Sequence, residues 1–338
     1  MQKFFIRLIS WVLLTIMTAL GYGIRDYTEN AFRIPGLEDG FIPQGICQSD
    51  DLFYISGYFT DKTASRIYAV NAKNGEQIAY ASLLNENETP FTGHCGGIAS
   101  VGNYVYVASG SSLWLASKDD LLLAGGQPIH FLAELPTDVK ASFAFYAENT
   151  LWVGEFHIEG DYETAPEHHG SDGNNAWVVG YALDQNGLPI FEGNTAPSID
   201  ENGVPIFDTV GKMVPKAMFT VPDKTQGMTI LEDGTVVTSV SFGRRNTSYL
   251  MTYDRGIAET ANVRGYSIPK YALTESKRHL KLRLPPMSEC IEFYDGKVYI
   301  LFESGATAYA NASEIVPYVW KSDLVALLDK LRKSPFDE

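Results

Sequence analysis

Five segments of the sequence repeat one plan: a small or polar entry, a short apolar stretch, a turn of Asp, Asn or Gly, and a second apolar stretch. They are FIPQGICQSDDLFYISGY (41–58), TGHCGGIASVGNYVYVASG (92–110), VKASFAFYAENTLWVGEF (139–156), KTQGMTILEDGTVVTSVSF (224–242) and PPMSECIEFYDGKVYILFE (285–303). Two short apolar stretches around such a turn predict a β-hairpin. Polar and apolar residues alternate only loosely, as in strands that are covered on both faces.

Each hairpin has a further predicted strand before it and after it. RIYAVNAKNG, SLWLASKDD, AWVVGYALDQNG and SYLMTYDRG follow hairpins, and stretches such as QIAYASLLNE and KAMFTVPDK precede them. A unit of four antiparallel strands repeated about every 40–50 residues is typical of a β-propeller. We therefore predict an all-β chain in which residues 28–338 form a single five-bladed β-propeller.

The two ends of the chain predict how the ring closes. A strand near residues 30–37 comes before the first unit, and the last unit ends at PYVWKSDL with no fourth strand after it. We expect the N-terminal strand to complete blade five, because this removes an open sheet edge. Insertions are predicted near 156–175, 187–207 and 256–279, and SDLVALLDKLRK predicts a short C-terminal amphipathic helix.

Residues 1–23 carry Lys3 and Arg7 and then an apolar run that is short for a membrane span. This layout predicts a signal peptide or an uncleaved membrane anchor. We expect an exported monomer, secreted or anchored on the outer face of the cytoplasmic membrane, with membrane contact only through this segment. A net charge of −15 argues against nucleic acid as a partner, because phosphate binding needs a basic surface.

Three phrases of the sequence carry a resemblance. They are KTQGMTILEDG with SVSFGRRNTSYLMTYD, VGEFHIEGDYET with NAWVVGYALDQNG, and PPMSECIEFYDGKVYILFESGA. Together they resemble a family of exported bacterial β-propeller proteins without an assigned activity, and more distantly the YVTN, NHL and quinoprotein-like propellers. The resemblance implies a fold and export; it implies no chemistry, since a propeller hosts enzymes and binding modules alike.

The entry of each first strand should face one opening of the central channel. One residue per blade gives a predicted ligand-binding ring of Gln44, His94, Ser142, Gln226 and Glu289. Glycines beside these residues would let the backbones crowd near the axis.

The second strand of each hairpin should end at the same opening, because the hairpin is antiparallel. Glu155 and Glu303 end two of these strands, and Arg244 and Arg245 follow a third. Two interpretations stay open. In the first, the polar ring satisfies backbone groups and waters where the strands converge. In the second, Glu155, Glu289 and Glu303 with His94 form a ligand or metal site, and Arg244 or Arg245 binds there and balances the charge. Several acidic oxygens would suit Ca²⁺ or another divalent cation.

The insertion 156–175 contains His157, His168 and His169 among several acids. Such a group could bind a transition metal, or the segment could be a solvated acidic loop or a lid over the mouth.

We expect the propeller to bind a small ligand, a metal ion or a protein partner at the mouth of the channel. The alternative is a hydrolase or lyase that uses Glu155, Glu289 and Glu303 with His94, with or without a metal. The GxSxG, P-loop and HExxH motifs are absent from the sequence. Cys95 adjoins His94, but neighbouring side chains of a strand point to opposite faces, which argues against a nucleophilic pair.

Overall fold

The computed structural model describes residues 24–332 except Asn194, Asn202, Asp208 and Thr209, together with Ile9, residues 11–17 and residues 20–21. Most of the predicted signal peptide or anchor, residues 1–23, and the C-terminal residues 333–338 lie outside the described residues. Residues 11–17 are helical. In the described part of the chain no helix is long and apolar enough to cross a membrane.

The regular secondary structure of the described chain consists mostly of short β-strands. In chain order they are β1 (Thr28–Arg33), β2 (Ile42–Ser49), β3 (Leu52–Tyr58), β4 (Arg66–Asn71), β5 (Gln77–Leu84), β6 (Gly97–Val101), β7 (Tyr104–Ser109), β8 (Ser112–Ser117), β9 (Pro128–His130), β10 (Ala133–Pro136), β11 (Phe143–Ala147), β12 (Thr150–Gly154), β13 (Ala176–Tyr181), β14 (Ser198–Ile199), β15 (Pro205–Ile206), β16 (Pro215–Val221), β17 (Thr225–Ile230), β18 (Val236–Val240), β19 (Ser248–Tyr253), β20 (Glu259–Val263), β21 (Tyr266–Ala272), β22 (Arg278–Leu284), β23 (Ser288–Tyr294), β24 (Lys297–Phe302) and β25 (Tyr318–Ser322). Besides the helical residues 11–17, the α-helices are Lys118–Leu123 and Leu324–Arg332, and the 3₁₀ helices are Arg25–Tyr27, Leu37–Asp39, Pro166–His168, Glu275–Lys277, Glu303–Gly305 and Thr307–Tyr309.

These strands form a five-bladed β-propeller, as predicted. From the channel outward, the blades are β2-β3-β4-β5, β6-β7-β8-β10, β11-β12-β13-β16, β17-β18-β19-β22 and β23-β24-β25-β1. All pairs within this four-stranded core of each blade are antiparallel. The inner strands β2, β6, β11, β17 and β23 pack against one another around the axis.

The N-terminal strand closes the ring. Strand β1 pairs with β25 from Thr28 opposite Ser322 to Arg33 opposite Tyr318, so the first and last strands of the propeller share blade five. This confirms the predicted closure, and it buries Phe32 in the packing between blades one and five.

The insertions extend two of the blades at their outer edges. Strand β9 pairs in parallel with β5, which adds a fifth strand to blade one. The segment 256–279 lies between two strands of blade four in the sequence, but its hairpin β20-β21 runs beside β16 and extends blade three. Arg264 at the tip of this hairpin binds Asp138 and Glu192, which ties the insertion to neighbouring segments.

The C-terminal helix Leu324–Arg332 forms as its leucine stripe predicts. Leu324, Leu327 and Leu328 are buried in an apolar cluster with strands of blades four and five. The side chain of Asp323 accepts a hydrogen bond from the N–H of Ala326 at 3.1 Å and so caps the first turn.

Near the axis the inner strands approach so closely that two glycines have no room for a side chain. A Cβ on Gly97 would lie 2.4 Å from the backbone nitrogen of Ala144, and one on Gly227 would lie 2.6 Å from the Cα of Cys290. Real Cβ atoms do not approach other atoms this closely, so the predicted crowding of glycine backbones at the axis is observed.

The thiol of Cys290 fills the centre of the ring below the mouth. Its sulfur lies 3.4 Å from the carbonyl oxygens of Gly96 and Gln226, and backbone groups of Ile46 and Ala144 also bond to it. Each of the other four blades therefore contributes backbone to the surroundings of this side chain. Backbone from five blades and the Cys290 thiol therefore crowd the axis at this level.

Candidate functional site

A cavity of about 760 Å³ opens at the mouth of the propeller. Its wall is formed by the starts of inner strands, the ends of second strands and part of the insertion 156–175. Among the predicted site residues, those that line it are Gln44, His94, Ser142, Gln226, Arg244, Glu289 and Glu303. The structure thus brings together one residue from each predicted entry position, as antiparallel hairpins around one axis require.

Two carboxyl groups meet at the floor of this cavity. The side chains of Glu289 and Glu303 lie within reach of a hydrogen bond to each other, and Glu289 is only 2% exposed. Gln44 donates a hydrogen bond from Nε2 to Oε2 of Glu303 at 2.9 Å. Two carboxylates cannot share such a bond, so one of the two groups carries a proton.

Burial and the partner's charge decide which group is protonated. Burial, followed by the charge of Glu303, raises the pKa of Glu289 well above its usual range. Burial also raises the pKa of Glu303, but hydrogen bonds from Gln44, Glu289 and Tyr309 oppose it, and this pKa is about 7. Glu289 is therefore the protonated donor of the pair, and Glu303 is the acceptor that titrates near neutral pH.

The backbone at the strand entries positions these side chains. The pairing of inner and second strands shifts register at Gln44 in blade one, at Gln226 in blade four, and between Ser288 and Ile291 in blade five. A β-bulge redirects a side chain and is frequent beside functional sites. Met287, just before the third bulge, has a φ of 65°, and its carbonyl accepts a hydrogen bond from the N–H of Glu303 at 3.1 Å.

Aromatic rings form much of the cavity wall. The rings of Tyr58 and His94 lie 4.4 Å apart at 31°, and the Tyr58 and Tyr309 hydroxyls are 3.3 Å apart. Phe156 and Phe242 face each other at 6.3 Å. The His94 side chain is accessible from the cavity, and desolvation by the surrounding protein lowers its pKa. At neutral pH the imidazole is therefore uncharged.

Arg244 brings a positive charge to the rim of the cavity. Its guanidinium lies 4.9 Å from the centre of the Tyr309 ring and donates to Oδ1 of Asn311 at 3.1 Å. This charge contributes to stabilising the ionised form of Glu303. Arg245, which the sequence grouped with Arg244, is exposed and is not among the residues that line the cavity.

Glu155 requires a correction. It was predicted to be a third carboxylate at the mouth, but it is 1% exposed and lies outside the cavity lining. Its Oε1 bonds to Nδ1 of His168 at 2.6 Å and to the N–H of Trp177 at 3.0 Å. The imidazole of His168 stacks on the Trp177 ring at 3.9 Å. The Glu155–His168 pair connects the insertion to blade three. Glu155 therefore does not join Glu289 and Glu303 in the cavity lining.

The aromatic walls were not predicted as part of the site. Tyr58 ends the second strand of blade one. Its place in the strand predicts that it lies near the mouth, but nothing in the sequence indicates that its ring forms part of the cavity wall. Tyr309 lies in a 3₁₀ turn that follows Glu303. Met287 and Phe242 also line the cavity, and they lie two residues from the predicted site residues Glu289 and Arg244.

No protein-family model matches this sequence, and no curated protein matches it. Solved structures with a similar fold include glutaminyl cyclase from Myxococcus xanthus, at 8% identity and a TM-score of 0.42, covering 87% of this chain and 94% of that one. Regucalcin, a calcium-binding protein from Agrobacterium tumefaciens, is 12% identical with a TM-score of 0.39, covering 87% and 93%. The PQQ-bound aldose sugar dehydrogenase of Streptomyces coelicolor is 14% identical with a TM-score of 0.36, covering 81% and 76%. These structures are β-propellers, and at such values the similarity carries no inference about function. Membership of the exported family stays a prediction.

Proposed function

We propose that the protein binds a small organic molecule at the mouth of the propeller, with the Glu289–Glu303 carboxyl pair as the recognition group. The observation that carries this proposal is the position of the pair at the floor of a cavity of about 760 Å³. Pockets for small molecules measure roughly 300–1,000 Å³ and combine apolar walls with a few converging polar groups. Buried carboxyl groups with displaced pKa values are concentrated at functional sites.

The groups around the cavity favour a particular kind of ligand. The Glu303 carboxylate can accept hydrogen bonds from N–H or O–H groups of a ligand, in addition to the one from Gln44. The rings of Tyr58, His94 and Phe242 offer flat apolar faces on which a ring can stack. We therefore expect a compact, ring-bearing molecule that presents hydrogen-bond donors to the floor of the cavity.

A second candidate function is acid–base catalysis by the same pair. The observation that favours it is the separation of the two pKa values, with Glu289 held protonated and Glu303 near 7. One carboxyl group could donate a proton while the other accepts one, which is the arrangement that hydrolases and lyases use. Glu155, the third predicted carboxylate, is not part of the proposed catalytic pair, because it is hydrogen-bonded to His168 and does not line the cavity.

A thermal-shift screen tests the binding proposal. Wild type, Glu289→Gln and Glu303→Gln are compared, with Glu292→Gln as a control acid of the same strand that is not among the cavity-lining residues. A ligand at 100 times its Kd stabilises the fold by about 2.7 kcal/mol. We expect a ligand whose shift is lost in Glu303→Gln and weakened in Glu289→Gln but kept in the control. Equal shifts in all four proteins would show that the pair is structural.

The catalytic candidate has a separate test. Ligands from the screen are incubated with the protein, and products are analysed by mass spectrometry. Conversion of a ligand by wild type but not by Glu303→Gln would support catalysis. If the wild-type protein binds ligands and converts none of them, the catalytic candidate is rejected and the binding function remains.

We also propose that the protein is exported, on the support of the basic and apolar layout of residues 1–23. Cells that produce the full chain are fractionated, and the N-terminus of the protein is read by mass spectrometry. A shortened N-terminus, or an intact one in the membrane fraction, is expected. Intact protein in the cytoplasmic fraction would contradict export.

A further inference from the structure

The insertion 156–175 places two imidazoles and a carboxylate together at the rim of the mouth. The ligand atoms of His157, Glu163 and His169 all lie within 4.8 Å of one another. We propose that these three side chains bind a divalent transition-metal ion, with Zn²⁺ as the ion that best fits the donor set. Imidazole nitrogen and carboxylate oxygen are its common ligands in proteins, and three protein ligands are typical of an open site.

The distances are close to those that such an ion needs. Nδ1 of His157 is 4.0 Å from Oε2 of Glu163, and the two imidazole rings are 5.2 Å apart. Tetrahedral Zn²⁺ with bonds of about 2.1 Å holds its ligand atoms about 3.4 Å from one another. Small rotations of Glu163 and His169, which are both exposed, close the difference while His157 stays fixed at 2% exposure.

The loop backbone is already held in the shape that this site needs. The N–H of Gly160 donates to Oε1 of Glu163 at 2.5 Å, which leaves Oε2 directed toward His157. Backbone hydrogen bonds between Ile158 and Tyr162 close the turn, and the His157 carbonyl accepts from the N–H of Lys224 at 3.1 Å. The backbone that carries the ligands is therefore ordered before an ion arrives, which reduces the entropy cost of binding.

The hydroxyl of Thr164 links the two imidazoles. It lies 3.1 Å from Nδ1 of His157 and 3.1 Å from Nε2 of His169, and it donates its own proton to the carbonyl of Asn175. It therefore accepts from both imidazoles, whose facing nitrogens each carry a proton. An ion that binds these two nitrogens takes the place of their protons and of their hydrogen bonds to the hydroxyl.

The structure also separates two adjacent histidines that the sequence could not distinguish. His168 binds Glu155 through Nδ1 and stacks on Trp177, so its role is to hold the insertion against blade three. His169 faces the cluster. Glu163 also lines the mouth cavity, so the proposed ion site adjoins the cavity through this residue.

Calorimetric titration of Zn²⁺ tests the site, using full-length protein purified without chelator and with any affinity tag removed. We expect one ion per chain and at least 10-fold weaker binding in His169→Ala and in Glu163→Gln. Both positions are exposed, so these variants should fold. Glu167→Gln, which removes an exposed acid of the same loop, should bind as the wild type does.

Cobalt supplies a second readout. Co²⁺ in a site with nitrogen and oxygen ligands and four-coordinate geometry should give visible absorption bands in wild type and in Glu167→Gln, and these bands should be missing in His169→Ala. The proposal is overturned if the wild-type protein binds no Zn²⁺, or if His169→Ala binds it with unchanged affinity. In either case the three side chains would form only a hydrogen-bonded cluster around Thr164.

Discussion

Replacing Glu303 with glutamine should change how the stability of the protein depends on pH. In the folded protein the pKa of Glu303 is raised from 4.5 to about 7, mainly by burial. Between these values the folded state binds more protons than the unfolded state, so stability falls as pH rises. The stabilising effect of the proton is fully present below about 4.5 and is lost as pH passes through 7.

The size of this effect follows from the displacement of the pKa. Each pH unit between the two values is worth about 1.36 kcal/mol, which gives about 3 kcal/mol over the whole interval. Because Glu289 and Glu303 share one hydrogen bond, the magnitude belongs to the pair and not to one residue. Glu303→Gln cannot ionise, so the free energy of unfolding of this variant relative to wild type should rise by about 2–3 kcal/mol between pH 5 and pH 8.

Urea denaturation of both proteins at each pH unit from 5 to 9 measures this difference directly. Glu292→Gln is the matched control, since burial raises the pKa of Glu292 to about 8. Its difference from wild type should have the same sign but continue to grow up to about pH 8. If the curves of Glu303→Gln and wild type run parallel between pH 5 and pH 8, Glu303 is an ordinary ionised carboxylate and the reasoning about the pair is refuted.

Three further changes test the fold around the site. Gly227→Ala places a Cβ 2.6 Å from a backbone carbon of blade five and should cost about 1–3 kcal/mol in urea denaturation, whereas Gly211→Ala, which meets only ordinary contacts, should cost little. Arg264→Met leaves the carboxylate of Asp138, whose side chain is 8% exposed, without its guanidinium and should cost about 3 kcal/mol; an unchanged unfolding midpoint would contradict a structural role. Deletion of residues 1–33 removes the outer strand of blade five and exposes an edge, so size-exclusion chromatography should show oligomers or aggregates, and a monomer of unchanged melting temperature would contradict closure by this strand.

The sequence predicts the propeller because its information is local. Each hairpin is encoded by two apolar stretches around one turn, and the antiparallel pairing then places the entry of the first strand beside the end of the second. Strand pairing alone therefore predicts that Gln44, Glu289 and Glu303 lie at the same opening, and all three line the cavity. The closing strand was predictable for the same reason, since one end of the chain had a strand too many and the other had one too few.

Glu155 could not be placed in this way, although it ends a second strand as Glu303 approximately does. An insertion follows Glu155 directly, and this insertion supplies His168 as a partner for it. Glu303 instead lies beside Glu289 and accepts a hydrogen bond from Gln44. The different surroundings of His168 and His169 could not be predicted for a related reason. A 3₁₀ turn over Pro166–His168 sends adjacent side chains in different directions, and no pattern in the sequence specifies that turn.

A crystal structure of the protein with a ligand from the screen decides whether the carboxyl pair is the recognition group. We predict that the ligand occupies the mouth cavity, stacks on an aromatic ring of its wall, and places an N–H or O–H group within hydrogen-bond distance of the Glu303 carboxylate. A ligand bound elsewhere on the propeller, with only water against Glu289 and Glu303, would contradict the proposal.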